Sequence, residues 1–413
     1  MHYEFPKIQH IDDVIPHIDE DCFRVKVGDC GNTYINYVKM GSETFPEMVE
    51  GCGIWGNDAA PWNLRAAIRR ECRGIAFNTK TGLIVSRPFH KFFNVEERAD
   101  MTVAECRFDL PHVVFDKVDG SMLRPIPTEY GLRWGTKMGV TDTAMLAETW
   151  LADKPKYEKM AEYLSHVLGL TPLFEYVSPE NRIVVDYGER NMILLAVRDN
   201  YTGTYISLDA LRGLGDRWDI PVVKTYDPVD GDPTVYLTAV KDSTDLDEGV
   251  VVAWENGSRA KIKTETYSIL HKVKEAGRTE RTLITAILDG KVDDLLPLLS
   301  EKDRSEVAGF VDAFWTSFAR LEEDIAHLYV WARESYLTKK DFAVGTSALT
   351  QIERATVFSL WDGKVSTSHE AAERIVTNGL SSEKKWAETK ENIMCAYGFT
   401  DFAATWKGTE VTE

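Results

Sequence analysis

The sequence predicts an α+β protein in which antiparallel sheets precede an all-helical segment. Between residues 22 and 263, short runs of strand length follow one another, interrupted by one helical stretch at 143–170. Strands with a few interspersed helices, lacking regular alternation, favour antiparallel sheets. Beyond residue 268 the strand-like runs stop, and we therefore expect two domains, 1–265 and 266–413.

The strands are predicted from alternating or β-branched residues bounded by turn residues. Residues 22–38 alternate as two short strands around a Gly-Asn turn. The later candidates, in chain order, are CRGIAFN, LIVSRPF, HVVFDKVDG, LRWGTKMG, PLFEYV, RIVVDY, MILLAV, YISL, EGVVVAW and RAKIKTE. All of these runs fall in the first expected domain.

The helices are predicted from the spacing of apolar residues. The stretch 143–170 fits one or two helices. In the second domain, apolar residues recur at intervals of three and four, as in an amphipathic helix. They are Val307, Phe310, Val311, Phe314, Phe318, Leu321, Ile325 and Leu328.

Charge and composition limit the possible functions. The formal net charge of −18 over 413 residues argues against a nonspecific nucleic-acid coat. Any phosphate ligand must therefore be held by a few cations concentrated in a cleft. The longest apolar runs fall far short of the roughly 20 residues of a membrane-spanning helix, and the N-terminal segment lacks the order of an export signal. Six cysteines without a Cys-x-x-Cys pair indicate reduced thiols in a cytosolic protein.

The segment GCGIWG, residues 51–56, literally fits the dinucleotide-binding pattern G-x-G-x-x-G. That pattern requires an apolar strand before it and a helix that begins at its last glycine. Here SETFPEMVE precedes the segment and NDAAPWN follows it. We therefore interpret it as a glycine-rich surface loop.

The segment FDKVDGSMLRP places Lys117 two residues before Asp119 and its following glycine. In an extended strand Phe115, Lys117 and Asp119 share one face, and Gly120 permits close backbone approach to a ligand. A lysine becomes a nucleophile when a neighbouring cation or bound metal promotes loss of its proton. Lys-x-Asp-Gly alone is expected by chance in roughly one chain of this length in ten, so an exposed strand end is the competing interpretation.

The segment DEGVVVAWENGSRAKIKTE predicts a hairpin that turns at Asn256-Gly257. Lys261 and Lys263 then project to one side of the returning strand, where two cations repel each other unless an anion lies between them. A polyphosphate would satisfy both, and Glu248 at the start of the hairpin could hold the accompanying magnesium ion. The alternative is an edge strand whose lysines prevent aggregation.

Three further polar residues lie in apolar surroundings. Glu175 is placed between Phe174 and Tyr176, where a carboxylate needs a partner such as a ribose hydroxyl or a cation. Arg73 and Lys91 lie among apolar and aromatic residues, a setting that directs a charge into a pocket. A water-facing strand and ordinary structural ion pairs are the alternatives.

Taken together, seven ordered segments resemble the ATP-dependent RNA ligase 1 family of bacteriophages, the tRNA-repair ligases. The segments are ECRGIAF, SRPFHKFFN, DKVDGS, FEYVSPENRIVVDY, ILLAVRDNYTGTYI, DEGVVVAW and AKIKTETY. The resemblance spans roughly residues 30–295. It implies the nucleotidyltransferase fold, with ATP-grasp-like antiparallel sheets, followed by a helical domain in place of the β-barrel of related DNA ligases and capping enzymes.

The resemblance assigns catalytic and metal-binding roles. It implies that Lys117 becomes linked to AMP, and that Lys137 and Tyr267 match further positions needed for ligation. Glu248 matches the acidic motif near the metal. Asp293, in LDGKVDDLL, is the second candidate metal ligand.

The same resemblance assigns nucleotide-binding roles. Tyr37 is expected to stack near the nucleotide, and Glu175 to contact the ribose. The residues that match holders of the ATP phosphates are Arg73, Lys91, Lys261 and Lys263. The segment Gly51–Arg69 departs from the family pattern, so no role is implied for it.

The implied activity is that of an ATP-dependent RNA ligase. It would join 5′-phosphate and 3′-hydroxyl RNA ends through lysyl-AMP and RNA-adenylate intermediates, with ATP and Mg²⁺ as cofactors. The implied partner is RNA, in particular tRNA with a broken anticodon loop, recognised by the helical domain. We expect a monomer in the cytoplasm, that of the host cell if the protein is phage-encoded. The alternatives are an ATP-dependent DNA ligase and a nucleotide-dependent RNA-binding module without turnover.

Overall fold

The computed structural model describes residues 4–28, 30–49, 54, 60–268, 271, 280–290, 292, 296 and 301–399. The chain folds into two compact units, Met1–Ser268 and Ile269–Lys407. Within the described residues, no helix combines the length and the apolar character needed to cross a membrane.

The first unit contains the sheets. Its strands are β1 (Phe23–Val27), β2 (Asn32–Tyr37), β3 (Arg73–Asn78), β4 (Ile84–Ser86), β5 (Phe93–Asn94), β6 (His112–Asp116), β7 (Ser121–Thr128), β8 (Gly131–Gly135), β9 (Leu170–Val177), β10 (Asn191–Asp199), β11 (Thr225–Tyr226), β12 (Gly249–Trp254) and β13 (Arg259–Lys263). Its helices are α1 (Ala60–Glu71), α2 (Asp142–Leu151), α3 (Pro155–Glu162), α4 (Leu208–Trp218) and α5 (Pro233–Lys241).

The strands form three sheets. Their orders are β1-β2-β3-β4, β10-β9-β7-β8 and β11-β6-β12-β13-β5. Neighbouring strands are antiparallel except for β13 and β5, which run parallel. The expected α+β class with antiparallel sheets is confirmed.

The third sheet has two different faces, and this difference creates the cleft. One face carries Val114, Val252 and Ile262, which are buried in a core shared with β2 and β3 of the first sheet. The opposite face carries Phe115 and Val251, which pack towards β9 and β10 of the second sheet. Because side chains alternate along a strand, Lys117, Lys261 and Lys263 are expected on this second face, between two sheets.

The described residues of the second unit form helices joined by turns, with no strand among them. The helices are α6 (Glu280–Leu288), α7 (Glu301–Ser335), α8 (Lys339–Gly345), α9 (Gln351–Trp361), α10 (Ser368–Gly379) and α11 (Glu383–Asn392). The predicted apolar stripe lies on α7, where Phe314 and Phe318 are almost fully buried against Ala372 and Val376 of α10. A 35-residue helix of this kind is stabilised mainly by packing of its apolar face.

Most of the predicted elements are present. The run 22–38 forms the hairpin β1–β2, and 143–170 contains the two helices α2 and α3. The segment 249–263 forms the hairpin β12–β13, with Gly257 in the left-handed region at φ +89°. Ile262 is buried in the core, as the alternation of β13 predicts.

Two predicted strands are wrong. RIVVDY, residues 182–187, forms no strand, because the amide groups of Val184 and Val185 both donate to Oδ2 of Asp119. YISL forms only an isolated bridge at Tyr205. Ser207 then caps α4, its hydroxyl accepting a hydrogen bond from the amide of Ala210.

Several elements lie beyond the sequence prediction. Strand β7 and helices α1, α4 and α5 have no counterpart among the predicted elements. Of GCGIWG, only Ile54 is described, and it is buried; the other five positions lie outside the described residues. Helix α1, which follows in the Gly51–Arg69 segment, ends two residues before Arg73 and so leads directly into β3.

Candidate active site

Lys117 lies immediately after β6, at the open end of the cleft. Regular strand structure ends at Asp116, so the expected strand through Asp119 is wrong. The Lys117 amide nevertheless donates to the Gly249 carbonyl at 3.0 Å, while Gly249 pairs with Lys263 on its other side. Lys117 and Lys263 therefore flank the same glycine.

Gly249 permits this close spacing. Its φ is +138°, a conformation that L side chains rarely adopt. A Cβ placed there would lie 2.1 Å from the Ile262 carbonyl oxygen, well inside van der Waals contact. The residue before it, Glu248, is thereby directed into the space between the two lysines.

Glu248 binds both ammonium groups. Its Oε1 lies 2.5 Å from Nζ of Lys117 and 3.2 Å from Nζ of Lys263. The glutamate side chain is only 3% exposed, whereas the lysines are 20% and 25% exposed. A buried carboxylate is thus compensated by two cations that remain accessible from the cleft.

Asp119 links the segment after β6 to the end of the unit. Its Oδ1 accepts a hydrogen bond from the Tyr267 hydroxyl at 2.7 Å, and its Oδ2 accepts the two backbone amides of residues 184 and 185 at 2.8 Å each. Burial raises the pKa of Tyr267, and the carboxylates of Glu248 and Asp119 raise it further. Tyr267 is therefore a neutral hydrogen-bond donor at any physiological pH.

Glu175 faces the cleft from β9. Burial raises the pKa of its carboxyl group to about 8, with Lys117 opposing the shift and Glu248 adding to it. The glutamate is therefore largely protonated at neutral pH, so that it can donate as well as accept a hydrogen bond. Gly120 brings the chain close to this strand, because a Cβ there would lie 2.5 Å from the Tyr176 carbonyl oxygen.

Lys261 lies on the cleft side of β13, with Nζ 5.7 Å from the centre of the Phe92 ring. Burial lowers the pKa of Lys261 to about 7, and the charges of Lys91, Lys117 and Arg73 lower it further. The low pKa therefore has burial as its main cause, and the cations crowded around Lys261 add to it.

Tyr37, Arg73, Lys91 and Lys137 form a second group of predicted site residues. Nζ of Lys91 lies 5.8 Å and Nζ of Lys137 5.0 Å from the centre of the Tyr37 ring. Burial alone would raise the pKa of Tyr37, but Arg73, Lys137 and Lys91 together lower it. Burial lowers the pKa of Lys91. The charges of both groups act on Lys261, so the two groups lie near one another around it.

The predicted residues are thus brought together except where they lie outside the described residues. Asp293 is such a residue, and its position is not described. The sequence pattern gave no role to Asp119. In the structure its carboxylate accepts hydrogen bonds from the Tyr267 hydroxyl and from the backbone amides of residues 184 and 185. The signal in the sequence was the position of Asp119 directly before Gly120. In the structure Asp119 is buried, and Gly120 lies close to the backbone of Tyr176.

The donor groups fit a divalent ion that is shared with a phosphate ligand. Within the described residues, no three His, Cys, Asp or Glu side chains converge as a ready metal site. Magnesium is commonly held by one or two carboxylates together with substrate phosphates and water. Glu248 supplies one such carboxylate, in contact with Lys117.

Comparison with known proteins now decides the family. Residues 71–276 match the family model described as RNA ligase. This segment belongs to the RNA ligase family. The segment contains Lys117, Glu175, Glu248 and Tyr267, and the family resemblance seen in the sequence is confirmed.

Individual relatives agree with this assignment of the RNA ligase segment. The chain is 38% identical over 152 residues to a Thermovibrio ammonificans protein named as an inferred RNA ligase, covering 37% of this chain and 40% of that protein. It is 28% identical over 246 residues to RNA ligase 1 of bacteriophage TS2126, covering 57% and 59%. The match therefore spans between two fifths and three fifths of these relatives. A solved archaeal ATP-dependent RNA ligase is 14% identical, with a TM-score of 0.41 over 70% of this chain and 72% of its own.

Proposed function

We propose that the protein is an ATP-dependent RNA ligase that works through a covalent lysyl-AMP. One observation carries the proposal: Nζ of Lys117 and Nζ of Lys263 meet at one buried oxygen of Glu248, within a segment of the RNA ligase family. These contacts support the proposal, because an amine suited to nucleophilic attack, a cation suited to bind phosphate and a carboxylate suited to hold a metal lie together.

In the first step the neutral amine of Lys117 attacks the α-phosphorus of ATP. An Nζ–P bond forms, the bond from the α-phosphorus to the bridging oxygen breaks, and pyrophosphate leaves. The nearest acceptor for the lysine proton is Oε1 of Glu248 at 2.5 Å. Lys261 and Lys263 neutralise charge on the phosphates, which is the main source of catalysis in phosphoryl transfer.

The two later steps use the same cleft. The 5′-phosphate of an RNA end attacks the phosphorus of lysyl-AMP, which releases the amine and forms RNA-adenylate. A 3′-hydroxyl then attacks the RNA phosphorus, forms the new phosphodiester bond and displaces AMP. Glu175, protonated below pH about 8, is suited to hydrogen-bond a ribose hydroxyl throughout.

Magnesium is the proposed metal, with Glu248 and Asp293 as its proposed protein ligands. When bound, it would neutralise the triphosphate and align the leaving group. We further propose tRNA with a broken anticodon loop as the RNA, recognised by the helical unit, and a monomer acting in the cytoplasm. The division into an adenylyltransferase part, 1–265, and an RNA-recognition part, 266–413, belongs to the same proposal.

The decisive experiment measures transfer of label from [α-³²P]ATP to the protein on a denaturing gel. Wild type is expected to form the adduct, whereas Lys117→Ala and Lys117→Arg are expected to reduce it by at least about a thousandfold, because the nucleophile is absent or permanently charged. Lys80→Ala is the matched control, since Lys80 is exposed and pairs with Glu129 on a turn. An adduct of normal yield on Lys117→Ala would exclude the proposed nucleophile.

A second measurement separates RNA ligation from the alternatives. Sealing of 5′-phosphorylated RNA ends is compared with sealing of nicked duplex DNA under the same conditions. The proposal expects RNA joining to exceed DNA sealing. Preference for nicked DNA would instead identify a DNA ligase, and RNA binding without any adduct would identify a binding module.

A further inference from the structure

A cavity of about 500 Å³ lies in the first unit where β12 turns into β13. It is bounded on one side by the sheet and the hairpin turn, and on the other by the start of α4. The residues that matter for its chemistry are Phe5, His112, Phe115, Tyr205, Asn256 and Arg259. This space is not part of the lysine cluster, because neither Lys117, Lys261 nor Lys263 lines it.

Arg259 forms the cationic part of the cavity wall. The residue is only 8% exposed, and its guanidinium lies 4.2 Å from the centre of the Tyr205 ring and 5.2 Å from that of Phe89. Its Nε has no hydrogen-bond partner among the described residues, and no carboxylate of these residues pairs with it. Burial lowers the pKa of Arg259, and Tyr205 opposes that shift.

A neighbouring arginine shows which kind of contact Arg259 lacks. Arg198 is also fully buried, but it makes a two-pronged ion pair with Glu71, with both N–O distances 2.7 Å. Aromatic rings attract a cation through their faces, but they do not satisfy the in-plane N–H donors of a guanidinium. Arg259 therefore retains donors for an anion that comes from outside the chain.

We propose that this cavity, called here the Arg259 pocket, binds a phosphate monoester. A guanidinium offers parallel N–H donors that match two phosphate oxygens, and a buried one binds more strongly because water does not compete. The first residues of α4, Ser207 and Leu208, border the pocket, and a helix N-terminus adds positive potential there. Asp209 and Glu255 are exposed at the border and oppose binding at long range.

The pocket is separate from the proposed site of adenylyl transfer. Arg259 shares a face of β13 with Lys261 and Lys263, which lie two and four residues away, about 7 and 13 Å along the strand. Phosphate bound at Arg259 would thus occupy a second position on the face that carries the lysines. The inference goes beyond the proposed ligase activity and does not rest on it.

Equilibrium dialysis of the full-length protein with ³²P-labelled inorganic phosphate tests the pocket. Arg259→Met is expected to weaken binding at this site at least about tenfold, and Arg259→Lys by a smaller factor, because the forked geometry is lost. Lys261→Met is run in parallel and is expected to weaken binding at the Arg259 site by less than about threefold, because Lys261 lies two residues away on the same face but does not line the pocket. Arg190→Met, at an exposed arginine paired with Glu180, controls for the loss of net charge.

The outcomes are distinguishable. Phosphate binding that persists in Arg259→Met and disappears in Lys261→Met would place all binding in the lysine cleft and overturn the inference. Folding of each variant is checked by thermal unfolding without ligand, and Arg259→Met is expected to unfold at a temperature equal to or above that of wild type, because an unpaired buried charge is removed. If Arg259→Met does not fold, unweakened binding by Arg259→Lys overturns the inference instead.

Competition identifies the source of the phosphate. A short oligoribonucleotide with a 5′-phosphate is compared with the same strand carrying a 5′-hydroxyl, each against labelled phosphate in the Lys261→Met background. Displacement by the phosphorylated strand alone assigns the pocket to a nucleic-acid end. Displacement by neither assigns it to free phosphate. In both cases Arg259→Met must still weaken the binding of phosphate.

Discussion

At the scale of single residues, the site is governed by the burial and crowding of its cations. Lys261 shows this most clearly, because burial and the charges of Lys91, Lys117 and Arg73 hold its pKa at about 7. A folded-state pKa below the unfolded value of 10.5 means that the unfolded state binds more protons between pH 7 and pH 10.5. Lys261 therefore opposes folding below pH 7, and this cost is relieved as the pH rises through that range.

Nucleotide binding is expected to reverse the shift and take up a proton. At pH 8 the free lysine is mostly neutral, and a triphosphate beside it raises its pKa, so binding should take up about one proton per nucleotide. The measurement is calorimetric titration with α,β-methylene ATP, which cannot form the adduct, in two buffers of different ionisation enthalpy. At pH 6 the uptake should be much smaller, because the lysine is already charged.

Lys261→Met is the control for this proton uptake. The variant should bind more weakly but with little proton uptake at pH 8, since the titrating amine is gone. Equal uptake by wild type and Lys261→Met would assign the proton to another group, and the low pKa of Lys261 would then play no part in nucleotide binding.

At the scale of elements, the sequence was most informative where side-chain alternation determines the fold. The hairpin β12–β13 could be predicted because its turn residues and buried Ile262 agree with one register. The irregular structure of RIVVDY could not be predicted. Its residues alternate as in a strand, but the amides of Val184 and Val185 donate to Asp119, 65 and 66 residues away in the chain. Pairing with a distant side chain leaves no local pattern.

The candidate site, too, could be predicted from the sequence only where the local pattern is informative. The charged site residues could be predicted one by one, since each is unusual among its neighbours in the sequence. Their distances, and the sharing of Glu248 by Lys117 and Lys263, depend on the positive φ of Gly249 and on strand pairing between segments far apart in the chain. These are properties of the assembled sheet.

Asp119→Ala should release the 182–187 segment. The substitution leaves the amides of Val184 and Val185 without their acceptor, and each unsatisfied buried donor costs about 1–3 kcal/mol. Hydrogen exchange at these two amides should accelerate at least about fivefold, which corresponds to the lower end of that cost. Exchange in β10, which is held by its own ladder with β9, serves as the internal reference.

A second variant separates the two halves of the Asp119 carboxylate. Tyr267→Phe removes the hydrogen bond to Oδ1 and leaves both amide bonds to Oδ2 in place, so exchange at residues 184 and 185 should change little. If both variants accelerate exchange equally, the segment is held by Tyr267 packing and not by the Asp119 bonds.

At the scale of the whole molecule, the two units have separate hydrophobic cores. The first unit is built around Ile35, Phe77 and Val252 with neighbouring strands, and the second around Phe314 and Phe318 of α7. All described site residues lie in the first unit. Such an arrangement is typical of domains that fold independently and divide the work of an enzyme.

A chain shortened to residues 1–268 should therefore retain adduct formation but lose RNA joining. Label from [α-³²P]ATP should still reach the shortened chain, because Lys117 and the neighbouring cations keep their own core, but the yield should fall below that of the full chain, because the proposed metal ligand Asp293 is removed. Joining of tRNA ends should fall by more than about tenfold if the helical unit supplies RNA contacts, since lost phosphate and base contacts lower affinity. Circular dichroism must first show that the shortened chain is folded. A folded chain that forms no adduct would mean that the helical unit takes part in adenylylation itself, whereas unchanged tRNA joining would remove its proposed role in RNA recognition.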